Sequence, residues 1–200
     1  SSIADPDHLL LLAQDKTGYE NLMSLISEGY LLADGGDPAV AFDALTGRAE
    51  GLIALDGAGG SPLSRHLLDG SSMVETHLAA MNSLFDGRLY LELQRHGQSF
   101  ERVLEPRVLK LATAHNLPIV ATNDAHFAAA DQFDAHDVLS CIAQGVTLAH
   151  RDRRRLTPEH FFKTSQDMAR LFSDLPEAIE NTARIAQRCA AMPRRASLNL

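Results

Sequence analysis

Cysteine is scarce in this chain: the 200 residues include only Cys141 and Cys189, which lie far apart. No Cys-x-x-Cys pair is present, and this excludes a structural zinc site of that type. Both cysteines fall in segments with helical periodicity. We therefore expect two reduced thiols in or near the core, as is typical of a cytoplasmic protein.

Long apolar runs are also missing. No segment approaches the roughly 20 apolar residues that a membrane-spanning helix requires. Residues 1–7 lack the charged and apolar regions of a signal peptide. These absences predict a cytoplasmic protein with no membrane contact.

Positive charge is in the minority, with 18 Lys and Arg residues against 26 Asp and Glu residues and a formal net charge of −8. This balance argues against the chain forming the main nucleic-acid-binding surface, because phosphate binding requires concentrated Lys and Arg. The one basic cluster, residues 151–155, is more simply interpreted as a solvated loop.

The remaining composition is that of a globular protein. Apolar residues make up 45% of the chain, enough for a substantial core, and charged residues make up an ordinary 22%. Two hundred residues form one large domain or two small ones.

Four short apolar runs predict buried strands, and helical periodicity separates them. The predicted strands cover residues 8–13, 51–55, 88–94 and 117–121, and the predicted helices cover residues 17–32, 62–68, 72–85, 99–115, 131–144 and 176–189. This alternation predicts a parallel sheet with covering helices, either open or part of a barrel. In both arrangements chemistry gathers at the carboxyl ends of the strands.

Individual side chains refine these helices. Thr17, with Glu20 three residues later, has the spacing of a capping box at the start of the first helix. We expect Ile26 to face inward on this helix, and Leu139 and Ile142 to face inward on the fifth.

The fourth strand leads into the most informative motif, Asn123-Asp124-Ala125-His126. Asp124 and His126 are two residues apart, so on extended backbone their side chains leave the same side. A carboxylate and an imidazole at a strand end are a typical half-site for a divalent metal. The alternative is that Asp124 caps a turn and His126 is an ordinary loop histidine.

Two further features each have two interpretations. Glu92, on the third strand, either pairs with a nearby base or faces a polar barrel interior. The glycine-rich segment 56–62 after the second strand forms either a phosphate cradle or a tight turn. It lacks the Gly-Lys-Ser/Thr ending of a P-loop, and this favours the turn.

Several runs together resemble the PHP (polymerase and histidinol phosphatase) domain of bacterial DNA polymerase III alpha subunits. The runs cover nearly the whole chain: HLLLLA (8–13), TGYENL (17–22), GLIAL (51–55), YLELQRHG (90–97), LPIVATNDAH (117–126) and LFSDLPEAIENT (171–182). A further run, RRRLTPEH (153–160), is closer to the replicative form of that subunit than to the error-prone form.

The resemblance implies an α/β fold, namely a partial or distorted (βα) barrel of the PHP type that lacks its first strands and has a helical C-terminal extension. It assigns residues 1–150 to the C-terminal portion of the barrel domain. Residues 151–200 become a helical segment leading toward a downstream polymerase domain. The missing strands would leave a barrel edge open to pairing with other chains.

The resemblance also implies metal ligands at the strand ends, where the family binds up to three divalent ions. His8 falls on a family ligand position, and Asp124 and His126 fall on the closing Asp-x-His pair. The His-x-His motif that opens the family's site is not among these residues. We therefore expect an incomplete site for a divalent metal such as zinc or manganese. Glu92 and His96 lie on a matching strand without an assigned role.

For function, the resemblance implies a fragment of the polymerising subunit in DNA replication, with a structural or docking role and without polymerase activity of its own. The implied partners are other replicase subunits, namely the proofreading exonuclease and the sliding clamp, with DNA bound through the parent protein. The alternative is a metal-dependent phosphoesterase or 3′–5′ exonuclease of the PHP superfamily.

Overall fold

The computed structural model describes residues 7–33, 35–150 and 155–189. The predicted basic loop, apart from Arg155, lies outside them. A mixed α/β fold is present, with strands in the order β1 (Leu10–Ala13), β2 (Leu52–Asp56), β3 (Leu89–Leu93) and β4 (Ile119–Ala121). The helices are α1 (Lys16–Leu32), α2 (Pro62–Leu68), α3 (Val74–Leu84), α4 (Glu101–His115), α5 (Phe133–Gln144), α6 (Ser165–Leu171) and α7 (Pro176–Arg188). None of these helices is long and apolar enough to cross a membrane.

The pairing of β1 corrects the prediction of a wholly parallel sheet. Strands β2, β3 and β4 are parallel, as predicted, but β1 runs antiparallel to β2. Leu10 lies opposite Leu55, and Ala13 lies opposite Leu52. The alternation of strand and helix does not reveal this reversal, because residues 35–51, which include the short 3₁₀ helix Phe42–Leu45, return the chain before β2 begins.

The start of α1 and the start of β2 meet at one edge of the sheet. Helix α1 has 17 residues and rises by roughly 25 Å, so residues 35–51 must bring the chain back over that distance. Gly18 of α1 lies against Gly51, and a Cβ on Gly18 would be only 1.9 Å from the carbonyl oxygen of Gly51. Gly51 itself has φ of +71°, which favours glycine.

Strand β1 is shorter and more exposed than the buried strand predicted over residues 8–13. Pairing begins at Leu10, which is 45% exposed. The outer edge of β1 has no strand partner among the described residues. All four residues of β1 are apolar, so the strand lacks the charged residues and prolines that protect exposed strand edges.

The sheet is buried on both faces, as its continuous apolar runs predict. The main core lies on the face that carries Leu89, Leu91 and Leu93 and includes Leu25, Leu52, Ala54, Leu63, Leu78, Met81, Phe85, Leu104, Val108, Ile119, Ala121, Phe172 and Ala178. The opposite face carries a smaller cluster of Ile53, Leu55, Tyr90, Val120 and Ile185. The predicted alternation along β3 is therefore confirmed.

Helix α7 covers the outer edge of β4. The Asn181 side-chain amide donates a 2.7 Å hydrogen bond to the carbonyl oxygen of Ile119 and so satisfies an acceptor at that edge. At the end of α7, Arg188 donates to the Tyr90 hydroxyl at 2.9 Å and to the Gln14 side chain at 3.1 Å.

The division of the chain at residue 150 stays a prediction.

The helix bounds agree with the predictions to within a few residues, but the cap of α1 was assigned wrongly. The N-cap is Asp15, whose carboxylate accepts a 2.9 Å hydrogen bond from the backbone N–H of Gly18. Thr17 already lies inside the helix and so does not cap it. Asp15 performs the same chemistry two residues earlier.

Two helices expose apolar residues that were predicted to face inward. Ile26 is exposed because α1 buries a face lined by Gly18 and Gly29, which lets the helix approach its neighbours closely. On α5, Leu139 and Ile142 are 64% and 70% exposed. Both helices carry apolar residues on more than one face, so periodicity alone does not decide which face is buried.

Arg95, directly after β3, ties the sheet to two helical elements. Its guanidinium donates to both carboxylate oxygens of Glu105 on α4, at 2.6 and 2.9 Å, and to both oxygens of Asp174, at 2.7 and 2.8 Å. It also lies over the Phe172 ring, 4.6 Å from the centroid. These hydrogen bonds raise the pKa of Arg95 and lower that of Asp174. Asp174 precedes α7, so Arg95 fixes the approach to that helix.

We predict that Arg95→Ala lowers the free energy of unfolding by about 2 kcal/mol, because it removes charge-assisted hydrogen bonds to two carboxylates. Arg95→Lys should recover only part of this loss, since an ammonium group does not reproduce the planar fork. Urea unfolding measures both changes. The control is Arg170→Ala, which removes a surface ion pair with Asp167 and should cost under about 0.5 kcal/mol. Equal effects for Arg95→Ala and Arg170→Ala would contradict the prediction.

Candidate functional site at the carboxyl ends of the strands

The reversed direction of β1 brings the predicted ligand positions to one edge of the sheet. The carboxyl ends of the three parallel strands lie at this edge, and so does the beginning of β1. The backbone N–H of His8 accordingly donates a 2.9 Å hydrogen bond to the carbonyl oxygen of Gly60, in the turn after β2. The sequence alone did not show how the start of a strand reaches this edge.

Asp124 and His126 lie together, as their spacing predicts. The Nε2 atom of His126 is 3.0 Å from the Oδ2 atom of Asp124, and the two side chains are 34% and 46% exposed. The rings of His136 and His160 flank His126, with centroid separations of 5.7 and 5.9 Å. The backbone of His126 is also held, because its N–H donates to the His160 carbonyl oxygen at 2.8 Å.

His8 lies elsewhere along the same edge. Strands β1 and β4 are three strand spacings apart, roughly 14 Å across the sheet. Among residues 7–33, 35–150 and 155–189, no group of three or more His, Cys, Asp or Glu side chains is arranged to hold a metal ion. Asp124 and His126 thus offer an oxygen and a nitrogen suited to zinc or manganese. These are two donor atoms, fewer than the coordination shell of such an ion requires.

Glu92 is a buried carboxylate near this pair. The Thr122 hydroxyl donates to its Oε1 atom, and the Gln94 side-chain amide donates to the same atom at 3.3 Å. Burial raises the pKa of Glu92, these hydrogen bonds oppose the shift, and the charges of Asp56 and Asp124 add to it. No Lys, Arg or His of the described residues forms an ion pair with it. The interpretation of Glu92 as the partner of a nearby base is therefore wrong, and the polar barrel interior stays a prediction.

His96 is enclosed by polar partners. The Glu101 carboxylate accepts hydrogen bonds from the His96 backbone N–H and, at 3.1 Å, from His96 Nδ1. The other ring nitrogen, Nε2, is 3.3 Å from Oδ1 of Asn123. Burial alone would raise the pKa of Glu101, but these hydrogen bonds and one from the Gln98 N–H lower it overall. The carboxylate is therefore ionised at neutral pH.

The segment 157–162 crosses the end of β4 and holds the site from one side. The Asn123 amide donates to the Phe161 carbonyl oxygen at 2.8 Å, and the Thr157 hydroxyl donates to the His96 carbonyl oxygen at 2.6 Å. The His160 ring stacks on the His96 ring, with centroids 4.0 Å apart. Burial, followed by the charge of His96, lowers the pKa of His160 to about 4. His160 is therefore neutral at physiological pH.

The glycine-rich segment 56–62 is a turn and not a phosphate cradle. The Asp56 carboxylate accepts from the Leu63 N–H at 3.2 Å, and the Ser61 hydroxyl accepts from the Ser64 N–H at 3.2 Å, so side chains already bind N–H groups at the start of α2. The Phe100 ring packs on Gly59, where a Cβ would be 2.7 Å from the ring. The adjoining cavity measures about 10 Å³, the size of one water molecule.

Sequence reasoning missed His160, Glu101 and Asn123 as parts of this edge. His160 is distant in sequence from every other member, so no spacing rule links it to the cluster. Glu101 begins a helix and reads as an ordinary first-turn acid. Asn123 was visible inside the motif with Asp124, but its two hydrogen-bond partners come from other elements.

The chain is similar in sequence to known proteins. A family model for the PHP domain matches residues 1–96. The chain is 44% identical over 186 residues to DNA polymerase III subunit alpha of Caulobacter vibrioides (strain NA1000 / CB15N), which covers 92% of this chain and 16% of that protein. The corresponding protein of Escherichia coli (strain K12) is 40% identical over 185 residues, or 91% of this chain and 16% of its own length.

The similarity of the chain to the DNA polymerase III alpha subunit extends beyond the residues that match the PHP family model. The corresponding subunit of Pseudomonas aeruginosa is 39% identical over 184 residues, or 90% of this chain and 16% of its own length. The family resemblance seen in the sequence is thereby confirmed. The chain spans about one sixth of the length of these relatives.

We predict that Glu92→Gln raises the free energy of unfolding at pH 8 by about 1 kcal/mol, because it removes a buried charge. Because the pKa of Glu92 is raised in the folded protein, protonated Glu92 stabilises the wild type. This contribution is complete below the ordinary pKa of 4.5 and is lost as pH rises through the folded-state pKa. The advantage of the variant should therefore shrink toward pH 4. Urea unfolding across this range measures the difference.

The matched control is Glu50→Gln, since Glu50 is exposed and its neutralisation should leave the pH profile unchanged. A Glu92→Gln variant that is less stable than the wild type at pH 8 would show that the ionised carboxylate has a favourable partner, and would contradict the prediction.

Proposed function

We propose that this chain is the PHP module of a replicative DNA polymerase III alpha subunit and serves there as a structural and docking element. One observation carries the proposal: 44% identity to such a subunit over 92% of the chain, which extends well beyond residue 96, where the PHP family match ends. Proteins that share this much sequence over one continuous region share its fold. DNA synthesis would then belong to other parts of the parent protein.

The fold supports a partial (βα) barrel for this module. The polar interior of this barrel would be the sheet face that carries the smaller apolar cluster. Glu92 and Thr122 lie on that face, near the carboxyl edge. The outer edge of β1 has no strand partner among the described residues and exposes Leu10, so we expect further strands of such a barrel to pair there. The sheet in the described residues has four strands and does not close.

The docking role is supported by the exposed apolar residues of α1 and α5, since surfaces of this kind mark protein contacts. The proposed partner is the proofreading exonuclease subunit of the replicase; contacts with the sliding clamp and with DNA would be made through the parent protein.

We predict that the full-length parent protein captures the purified proofreading exonuclease subunit, and that a charge on the contacting face weakens capture at least 10-fold, about 1.4 kcal/mol. The variants are Ile26→Glu on α1 and Ile142→Glu on α5, and capture of the sliding clamp is the control for folding of both. Sliding-clamp capture should not change in either. No capture by the wild type, or equal capture by both variants and the wild type, would contradict the docking role of this chain.

We further propose that Asp124 and His126 are two ligands of a divalent ion such as zinc or manganese, with His8, three strands away along the same edge, as a candidate ligand of a separate ion. Support comes from the donor pair at 3.0 Å and its exposure at the strand ends. We predict that Asp124→Ala or His126→Ala in the full-length protein lowers manganese affinity at least 10-fold by calorimetric titration, because each removes a ligand.

His115→Ala is the control, since His115 lies at the far end of α4 and pairs with Glu75. Unchanged manganese affinity in both site variants would exclude them as ligands. A nuclease assay on the same proteins addresses the phosphoesterase alternative: activity that survives both substitutions would remove this pair from any such mechanism.

A further inference from the structure

The Asn123 amide has a fixed orientation. Its Nδ2 group is 2.8 Å from the carbonyl oxygen of Phe161, and a carbonyl oxygen only accepts hydrogen bonds. The nitrogen of the amide therefore faces Phe161, and the Oδ1 atom faces His96 Nε2 at 3.3 Å. Exchanging the two amide atoms would place oxygen against oxygen at Phe161.

The other side of His96 is fixed as well. The Glu101 carboxylate lies 3.1 Å from His96 Nδ1, and it also accepts the backbone N–H groups of His96 and Gln98. An ionised carboxylate has no proton to donate. Both ring nitrogens of His96 therefore face acceptors, and a neutral imidazole, which has one N–H, satisfies only one of them.

We propose that His96 is held as a buried imidazolium and acts as the positioning residue for the Asn123–His126 segment. Both ring N–H groups donate, one to Glu101 at the start of α4 and one to Asn123 at the end of β4. His96 is thereby the link that joins the ends of β3 and β4 to α4. Asn123, oriented by this link, connects in turn to the Phe161 carbonyl and directly precedes Asp124.

Burial disfavours a charged imidazolium, and the pairing of His96 with Glu101 offsets this cost. The side chains of His96 and Glu101 are 2% and 9% exposed, and a buried charge requires a paired, hydrogen-bonded partner. Glu101 supplies that partner, and the neutral ring of His160 stacks on the face of the imidazolium. Because an imidazolium has no free lone pair, His96 is not a metal ligand in this arrangement. The inference does not depend on the proposed function.

Long-range proton–nitrogen correlation spectra of the ¹⁵N-labelled full chain test the proposal directly. At pH 7 both ring nitrogens of His96 should resonate as protonated nitrogens, and Glu101→Gln should convert one of them to an unprotonated nitrogen. The His96 signals are assigned by their loss in His96→Gln. One unprotonated His96 nitrogen in the wild type at pH 7 would overturn the proposal.

The positioning role has its own readout in the side-chain amide of Asn123. In His96→Ala its protons should exchange with solvent at least 10-fold faster, and the His126 ring signals should shift. His96→Gln keeps a donor toward Asn123 and should restore slow exchange in part. His115→Ala is the matched control and should leave both readouts unchanged. Unaltered Asn123 exchange in a folded His96→Ala variant would refute the positioning role.

Discussion

The antiparallel pairing of β1 with β2 is the constraint on which the carboxyl edge of this sheet depends. If β1 ran parallel to its neighbour, its beginning would lie at the opposite edge, far from the ends of β3 and β4. The reversed strand instead brings His8 against the turn after β2. This arrangement requires α1 and β2 to begin at the same edge, which the contact between Gly18 and Gly51 permits. The position of one predicted ligand thus follows from a close approach of two glycines.

The carboxyl edge of the sheet brings together ionisable side chains that do not stabilise the fold individually. Glu92 is buried without an ion-pair partner among the described residues, and two further carboxylates raise its pKa. Asp124 and His126 remain partly exposed beside it. Buried or unpaired charged groups of this kind are typical of functional sites, where they make the folded protein less stable than neutral side chains would. The surrounding hydrogen bonds of Glu101, His96 and Asn123 show how the neighbouring strands keep this edge ordered.

Sequence reasoning reached the elements and the local motif, but not the contacts made over long distances in the chain. The strands, the alternation of Leu89 and Tyr90 across β3, and the pairing of Asp124 with His126 follow from short periodicities and were predicted. The direction of β1 was not predicted, because it depends on where residues 35–51 take the chain, and the apolar pattern of that segment does not encode its path. His160 joins the site through stacking and backbone hydrogen bonds, and no local pattern encodes such contacts. Ile142 was placed inward because α5 has apolar residues on several faces.

The direction of β1 is tested most directly by cross-strand nuclear Overhauser effects in the full chain. The account predicts backbone contacts between Leu10 and Leu55, between Leu11 and Ala54 and between Ala13 and Leu52, as expected for antiparallel neighbours. A parallel strand would reverse this order and place Leu10 beside Leu52 and Ala13 beside Leu55. Observation of that reversed order would contradict the account, since His8 would then lie at the opposite edge from Asp124.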